Sequence, residues 1–71
     1  MTELKIQNWE VTPIVNWCGK YISPQKYYIH NRIGGENWEA RNNAPGGWKL
    51  YLKEDKMVTM ALLKFGDKLS S

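Results

Sequence analysis

The small size of the chain limits its fold more than any other feature. A chain of 71 residues forms one domain, and a domain of this size buries only a modest fraction of its surface on folding. Its core must therefore be built from large side chains. Four tryptophans, four tyrosines and one phenylalanine meet this need, because each aromatic ring can bury ~150–250 Å². With 42% hydrophobic and 24% charged residues, the composition is typical of a folded domain.

The charge distribution favours a polyanionic partner. The formal net charge is +3, and between Gly19 and Lys53 the only acidic residues are Glu36 and Glu39. The basic residues of the same segment are Lys20, Lys26, Arg32, Arg41, Lys49 and Lys53. Such a segment favours nucleic acid or an anionic membrane surface, and solubility alone is the alternative explanation.

The residues that support catalysis or metal binding are too few and too scattered. Cys18 is the single cysteine, which excludes an internal disulfide and a zinc cluster, and His30 is the single histidine. The acidic residues lack the spacing of an acid/base pair or a metal site. We therefore expect no enzymatic activity, no metal and no cofactor. The lack of disulfides, of an apolar run of ~20 residues and of a signal-peptide pattern predicts a cytoplasmic protein.

Two Thr/Ser-Pro pairs predict two consecutive helices. In Thr12-Pro13 and Ser23-Pro24, a capping hydroxyl precedes a proline, whose missing N–H costs nothing at the first helical position. We expect the first helix to end at Gly19 and the second to run through Ile33, before Gly34-Gly35. Two short helices with a tight connection are typical of a helix-turn-helix.

The following segment changes from a helical to an alternating pattern. Residues 38–41 and 48–52 alternate, and the Asn-, Pro- and Gly-rich segment 42–47 between them predicts a turn. Together they predict a two-stranded β wing. A third helix is expected from Lys56 to Phe65, capped by Glu54 or Asp55.

The predicted fold class is thus α+β, a small winged helix-turn-helix with a C-terminal helix. The domain is expected to span residues 9–66, with Trp9 opening the ordered part. Residues 1–8 are expected to be a polar lead-in with a short extended piece at residues 4–6, and residues 67–71 a flexible tail.

The second predicted helix is the candidate DNA-reading element. An α-helix fits the major groove, and Ile29 and Ile33 are expected to face the core together. Gln and Asn can pair with adenine edges and Arg with guanine, while Lys26 and the helix start at Ser23 suit phosphate. The candidate residues of this helix are Ser23, Gln25, Lys26, Tyr27, Tyr28, Asn31 and Arg32. A solvated amphipathic helix is the alternative.

The predicted wing supplies a second set of DNA contacts. Its candidate residues are Arg41, Asn42, Asn43 and Lys49. A basic, Gly-rich tip can enter a minor groove or grip the backbone, and a mobile turn without function is the alternative.

In their order and spacing, these pieces resemble the phage excisionase family and the wider MerR-like group of winged helix-turn-helix domains. The residues that carry the likeness, between Trp9 and about Leu63, are Ser23-Pro24-Gln25, Ile29 and Ile33, Trp38, and Pro45-Gly46-Gly47. Gly34-Gly35 departs from the family, whose members often carry basic residues there.

The resemblance implies a non-catalytic recombination directionality factor in a bacterial host cell, associated with the nucleoid. Such a protein binds double-stranded DNA sequence-specifically as cooperating adjacent copies, bends it, and helps a tyrosine or serine integrase to excise a prophage. Two other functions stay open. One is a phage or mobile-element transcriptional regulator with the same domain, and the other is an inhibitor that binds a host protein through an aromatic-rich surface.

Overall fold

The computed structural model describes residues 1–7, 10–43 and 45–70, which form an antiparallel sheet of six strands with two helices. The elements are β1 (Thr2–Ile6), α1 (Val11–Tyr21), β2 (Tyr27–Ile29), β3 (Arg32–Gly34), β4 (Trp38–Asn42), β5 (Trp48–Leu52), α2 (Asp55–Lys64) and β6 (Leu69–Ser70). The strand order is β2-β3-β4-β5-β1-β6.

Alternating side chains give the sheet one apolar face. The register places Leu4 opposite Leu50, and Leu50 opposite Ala40, so that buried residues of β1, β5 and β4 form one continuous row. Ile33 of β3 continues the row. Both helices cover this face, with the buried residues Ile14, Val15 and Cys18 of α1 and Ala61 of α2 in the same core.

The predicted helix-turn-helix is wrong, because Ser23-Pro24 does not open a helix. The residues that follow form the β2–β3 hairpin, which turns at His30-Asn31 with His30 in the left-handed region at a φ of 49°. The Ser23 hydroxyl accepts backbone N–H groups of Glu36 (3.2 Å) and Asn37 (3.4 Å) instead of capping a helix. The aromatic and β-branched residues of this segment suit a strand as well as a helix, and pairing with β4 decides in favour of the strand.

The β2–β3 hairpin also separates the two isoleucines that were expected to share a buried face. Ile33 is buried, whereas Ile29 lies near the hairpin turn and is 58% exposed. Gly34, expected to end a helix, is a strand residue opposite Tyr27, and a Cβ atom at this position would overlap the Tyr27 side chain. Glycine at this position therefore leaves room for the Tyr27 side chain to pack against β3, rather than ending a helix.

The predicted two-stranded wing is also wrong. β4 and β5 do pair as a hairpin, but they lie between β3 and β1 in the middle of the sheet. Trp38 of β4 is only 2% exposed, and its Nε1 donates a hydrogen bond to the Ser23 carbonyl oxygen at 2.8 Å. These strands are the centre of the core, not an appendage.

Both ends of the described chain belong to the sheet. β1, in the segment expected to be a lead-in, pairs with both β5 and β6. Leu69, in the expected tail, is buried opposite Ile6. The described residues do not include Asn8, Trp9, Ala44 and Ser71, which were assigned to the lead-in, the domain start, the turn and the tail. Within the described ranges, no helix has the length and apolar character needed to cross a membrane.

Candidate nucleic-acid interface

The face of the sheet turned away from both helices carries an aligned row of cations. The register places Arg32 of β3 opposite Arg41 of β4, Arg41 opposite Lys49 of β5, and Lys49 opposite Lys5 of β1. We call these four residues the basic row and this surface the open face. Since neighbouring strands lie about 4.8 Å apart, the basic row spans ~14 Å. It contains both arginines of the chain.

A second row beside the basic row alternates aromatic and acidic side chains. Its members, from β2 to β1, are Tyr27, Gly34, Glu39, Tyr51 and Glu3. Glu3 forms an ion pair with Lys49 at 3.3 Å. The guanidinium carbon of Arg41 lies 4.5 Å from the centroid of the Tyr51 ring. The open face is therefore polar, and several of its side chains are joined to each other by an ion pair and a cation–π contact.

Positive charge predominates on the open face. The four cations of the basic row outnumber Glu3 and Glu39, so the two rows carry a net charge of +2. Within the described ranges, Arg32 and Lys5 have no carboxylate within ion-pair distance. These two side chains are placed to bind an external anion.

Glu39 connects two other side chains of the open face. Its carboxylate accepts hydrogen bonds from the Tyr27 hydroxyl and from Arg41 Nε. Burial acts to raise the pKa of Glu39, but these two hydrogen bonds outweigh it and hold the pKa below the usual value of 4.5. Burial and the hydrogen bond to Glu39 raise the pKa of Tyr27. At neutral pH the cluster therefore contains a charged carboxylate and a protonated phenol.

A cavity of about 640 Å³ opens on this face beside the β2–β3 hairpin, within the usual size range of ligand sites. Six of the sequence-predicted residues line it: Tyr27, Asn31, Arg32, Arg41, Asn42 and Asn43. Ile29, His30 and Glu39 complete its lining, and we call it the β2–β4 pocket. Although the predicted recognition helix and wing do not exist, the structure brings together polar residues assigned to both.

The other sequence-predicted residues have different places. Lys49 lies in the basic row. Lys26 lies in the loop before β2, with its Nζ 3.8 Å from Glu36. Gln25 and Tyr28 line a smaller cavity on the helix side. The Ser23 hydroxyl accepts a hydrogen bond that joins the α1–β2 connection to the β3–β4 connection. None of these last four residues belongs to the open face.

Sequence reasoning missed Lys5, Glu39 and Tyr51 as members of the site. The signal was present in part, because each alternates with buried apolar residues along its strand. Alternation predicts which face a residue occupies, but it does not show which strands are neighbours.

The described residues offer no evident metal or nucleophile site. No group of three or more His, Cys, Asp or Glu side chains in these ranges could hold a metal ion. Burial raises the pKa of the Cys18 thiol to about 12, so the thiol stays protonated inside the core.

Comparisons of the chain with family models, curated proteins and solved structures found no match. The resemblance to excisionases therefore stays a prediction, while the winged helix-turn-helix fold that it implied is contradicted by the six-stranded sheet.

Proposed function

We propose that this protein is a non-catalytic nucleic-acid-binding protein that uses the open face of its sheet. The basic row is the observation that carries the proposal, because it aligns cations from four adjacent strands across ~14 Å. Phosphate groups bind such cations with release of counterions, which provides most of the sequence-independent affinity of nucleic-acid binding.

The alignment favours this function over solubility alone. Solubility requires charge anywhere on the surface, whereas the basic row joins residues from distant parts of the chain on one helix-free surface. By contrast, Lys56 and Lys64 lie exposed on α2, on the other side of the sheet. They provide natural controls for the contribution of the open face.

Sequence-specific binding and bending of double-stranded DNA, as implied by the excisionase resemblance, is the more specific role that the sequence suggested. Reading the major groove with a recognition helix is not part of the present proposal, because that segment is the β2–β3 hairpin. Cooperation between adjacent copies and an integrase partner stay predictions, as do the regulator and host-inhibitor alternatives and a cytoplasmic location.

Charge reversal tests the proposal. We expect Lys5→Glu combined with Arg32→Glu to abolish most binding of an oligonucleotide in a fluorescence anisotropy titration. Lys56→Glu combined with Lys64→Glu changes the net charge equally and should retain most of the affinity. For the unmodified protein, four phosphate contacts predict about 50-fold weaker binding of a single strand, and about 150-fold weaker binding of a duplex, when salt rises from about 50 to 200 mM.

Two results would contradict the proposal. One is a lack of measurable binding to any oligonucleotide at low salt. The other is an equal loss of affinity in both double variants, which would show that net charge rather than the basic row determines binding.

A further inference from the structure

We propose that the β2–β4 pocket holds one unpaired nucleotide, so that the preferred ligand is a single-stranded segment of nucleic acid. This inference rests on the proposed function and names the substrate class of the same surface. Double-stranded DNA, the partner expected from the sequence, becomes an outcome of the test.

The shape of the open face disfavours base reading in a duplex. The major groove is ≈12 Å wide and admits a helix or a two-stranded ribbon. The basic row lies across the middle strands of a wide sheet, in a molecule that measures 28 × 26 × 20 Å. Such a surface can reach the phosphates of a duplex but not its stacked bases. An unpaired strand can turn its bases toward the protein.

The β2–β4 pocket combines the surfaces that an unpaired base requires. The Tyr27 side chain lies against Gly34, and Ile29 beside it is 58% exposed, so both offer contact area for a base. Asn31 and Asn43 are exposed at the rim, where their amides can donate to and accept from a base edge. Aromatic stacking with adjacent hydrogen-bonding groups is the usual way in which proteins bind single-stranded bases.

Cations lie beside these base-binding groups. Arg32 and Arg41 line the same pocket and begin the basic row, which leads away across β5 to β1. A strand whose base occupies the pocket can therefore place its following phosphates along the basic row. Arg41 is held by Glu39 and lies over Tyr51, which reduces the entropy lost when it binds a ligand.

The test compares ligands of equal length that differ in the presence of bases, in the sugar, or in base pairing. Anisotropy titrations would use a single-stranded thymidine oligonucleotide, a uridine oligonucleotide, an abasic deoxyribose-phosphate strand and a duplex, all of equal length. We expect the unmodified protein to bind at least one base-containing single strand about tenfold more tightly than the abasic strand or the duplex, the order expected for one stacked base. The tighter of the first two ligands identifies DNA or RNA as the source.

Neighbouring tyrosines provide matched variants. Tyr27→Leu should remove most of the preference for bases, measured as the ratio of the affinities for the base-containing and abasic strands, and Tyr27→Phe should retain this ratio. Tyr28→Leu is the control, because Tyr28 is 70% exposed on the other side of the same strand. A thermal melt of each variant confirms that the sheet is intact.

The outcomes separate the two proposals. Equal affinity for the abasic strand, the duplex and the base-containing strands, or tighter binding of the duplex than of every single strand, would overturn the pocket assignment and leave the nucleic-acid function standing. Equal loss of the preference in Tyr27→Leu and Tyr28→Leu would also overturn it. A lack of binding to all four ligands at low salt would overturn both proposals.

Discussion

Glu39 binds two neighbours on the open face at once, the Tyr27 hydroxyl and Arg41 Nε. Its side chain is only 13% exposed, although it lies on the polar side of the sheet. At the scale of single residues, this carboxylate keeps a ring and a guanidinium in fixed positions beside the β2–β4 pocket. It therefore contributes to the site without itself attracting an anionic ligand.

We expect Glu39→Gln to lower the free energy of unfolding by about 1 kcal/mol, because the substitution removes the charge from two hydrogen bonds, one of them to a partly exposed arginine. Urea unfolding would measure the loss. Glu36→Gln is the control, since Glu36 is 67% exposed and 3.8 Å from Lys26. Equal effects of the two substitutions would contradict the assigned role of Glu39.

The stabilisation by Glu39 should also depend on pH. The pKa of this carboxyl is lower in the folded protein than its usual value of 4.5. The folded state therefore binds the proton more weakly, and the stabilisation is present above this value and lost as the pH falls through the folded-state pKa. The difference in stability between the unmodified protein and Glu39→Gln should shrink below about pH 4. A difference that is constant down to about pH 2 would contradict this mechanism.

At the scale of elements, the β2–β3 hairpin is the part that the sequence could not predict. Ser23-Pro24 is a local helix-start signal, but Ser23 makes long-range hydrogen bonds instead. Its backbone carbonyl accepts one from Trp38 Nε1, and its hydroxyl accepts two from backbone N–H groups of the β3–β4 connection. These partners lie 13 to 15 residues away along the chain. Long-range pairing therefore overrides the local preference.

Other elements were predicted closely from local signals. α2 lies where an acidic cap and apolar spacing placed the third helix, and β4 and β5 lie where alternation and a Gly-rich turn placed two strands. α1 overlaps the first predicted helix, but it begins at Val11, before the predicted Thr12 cap, and continues past Gly19 to Tyr21. The central position of these strands was not predictable, because β1 joins β5 from the other end of the chain. For the same reason, six residues predicted to bind DNA lie together in the pocket although the recognition helix assigned to three of them does not form, and Lys5 was not predicted at all.

Two glycine substitutions should have opposite effects on stability. A Cβ atom at Gly34 would overlap the Tyr27 side chain, so we expect Gly34→Ala to cost about 1–3 kcal/mol. A Cβ atom at Gly19 in α1 would lie 3.8 Å from its nearest neighbour outside the helix, the Gln25 backbone nitrogen. Alanine suits a helix better than glycine, so Gly19→Ala should gain about 0.5 kcal/mol.

Chemical unfolding of both glycine variants checks this pair of predictions. If Gly34→Ala is as stable as the unmodified protein, the close packing of Tyr27 against β3 is wrong. The geometry assigned to the β2–β4 pocket would then be wrong as well.

At the scale of the whole molecule, the two faces of the sheet have separate tasks. One face buries apolar side chains of β1, β3, β4, β5 and β6, together with those of both helices. Neither helix of the described residues covers the other face, which carries the basic row and the β2–β4 pocket. A chain this small thereby combines an apolar core with a broad, positively charged surface, which is the proposed binding site.

The most direct test of this division is a nuclear magnetic resonance titration of the ¹⁵N-labelled protein with a single-stranded oligonucleotide at low salt. We predict that the Nε–Hε signals of Arg32 and Arg41 and the amide signals of β3, β4 and β5 shift with increasing ligand. The amide signals of α2, including Lys56 and Lys64, should stay in place. Shifts confined to the helices, or no shift at all, would contradict the account.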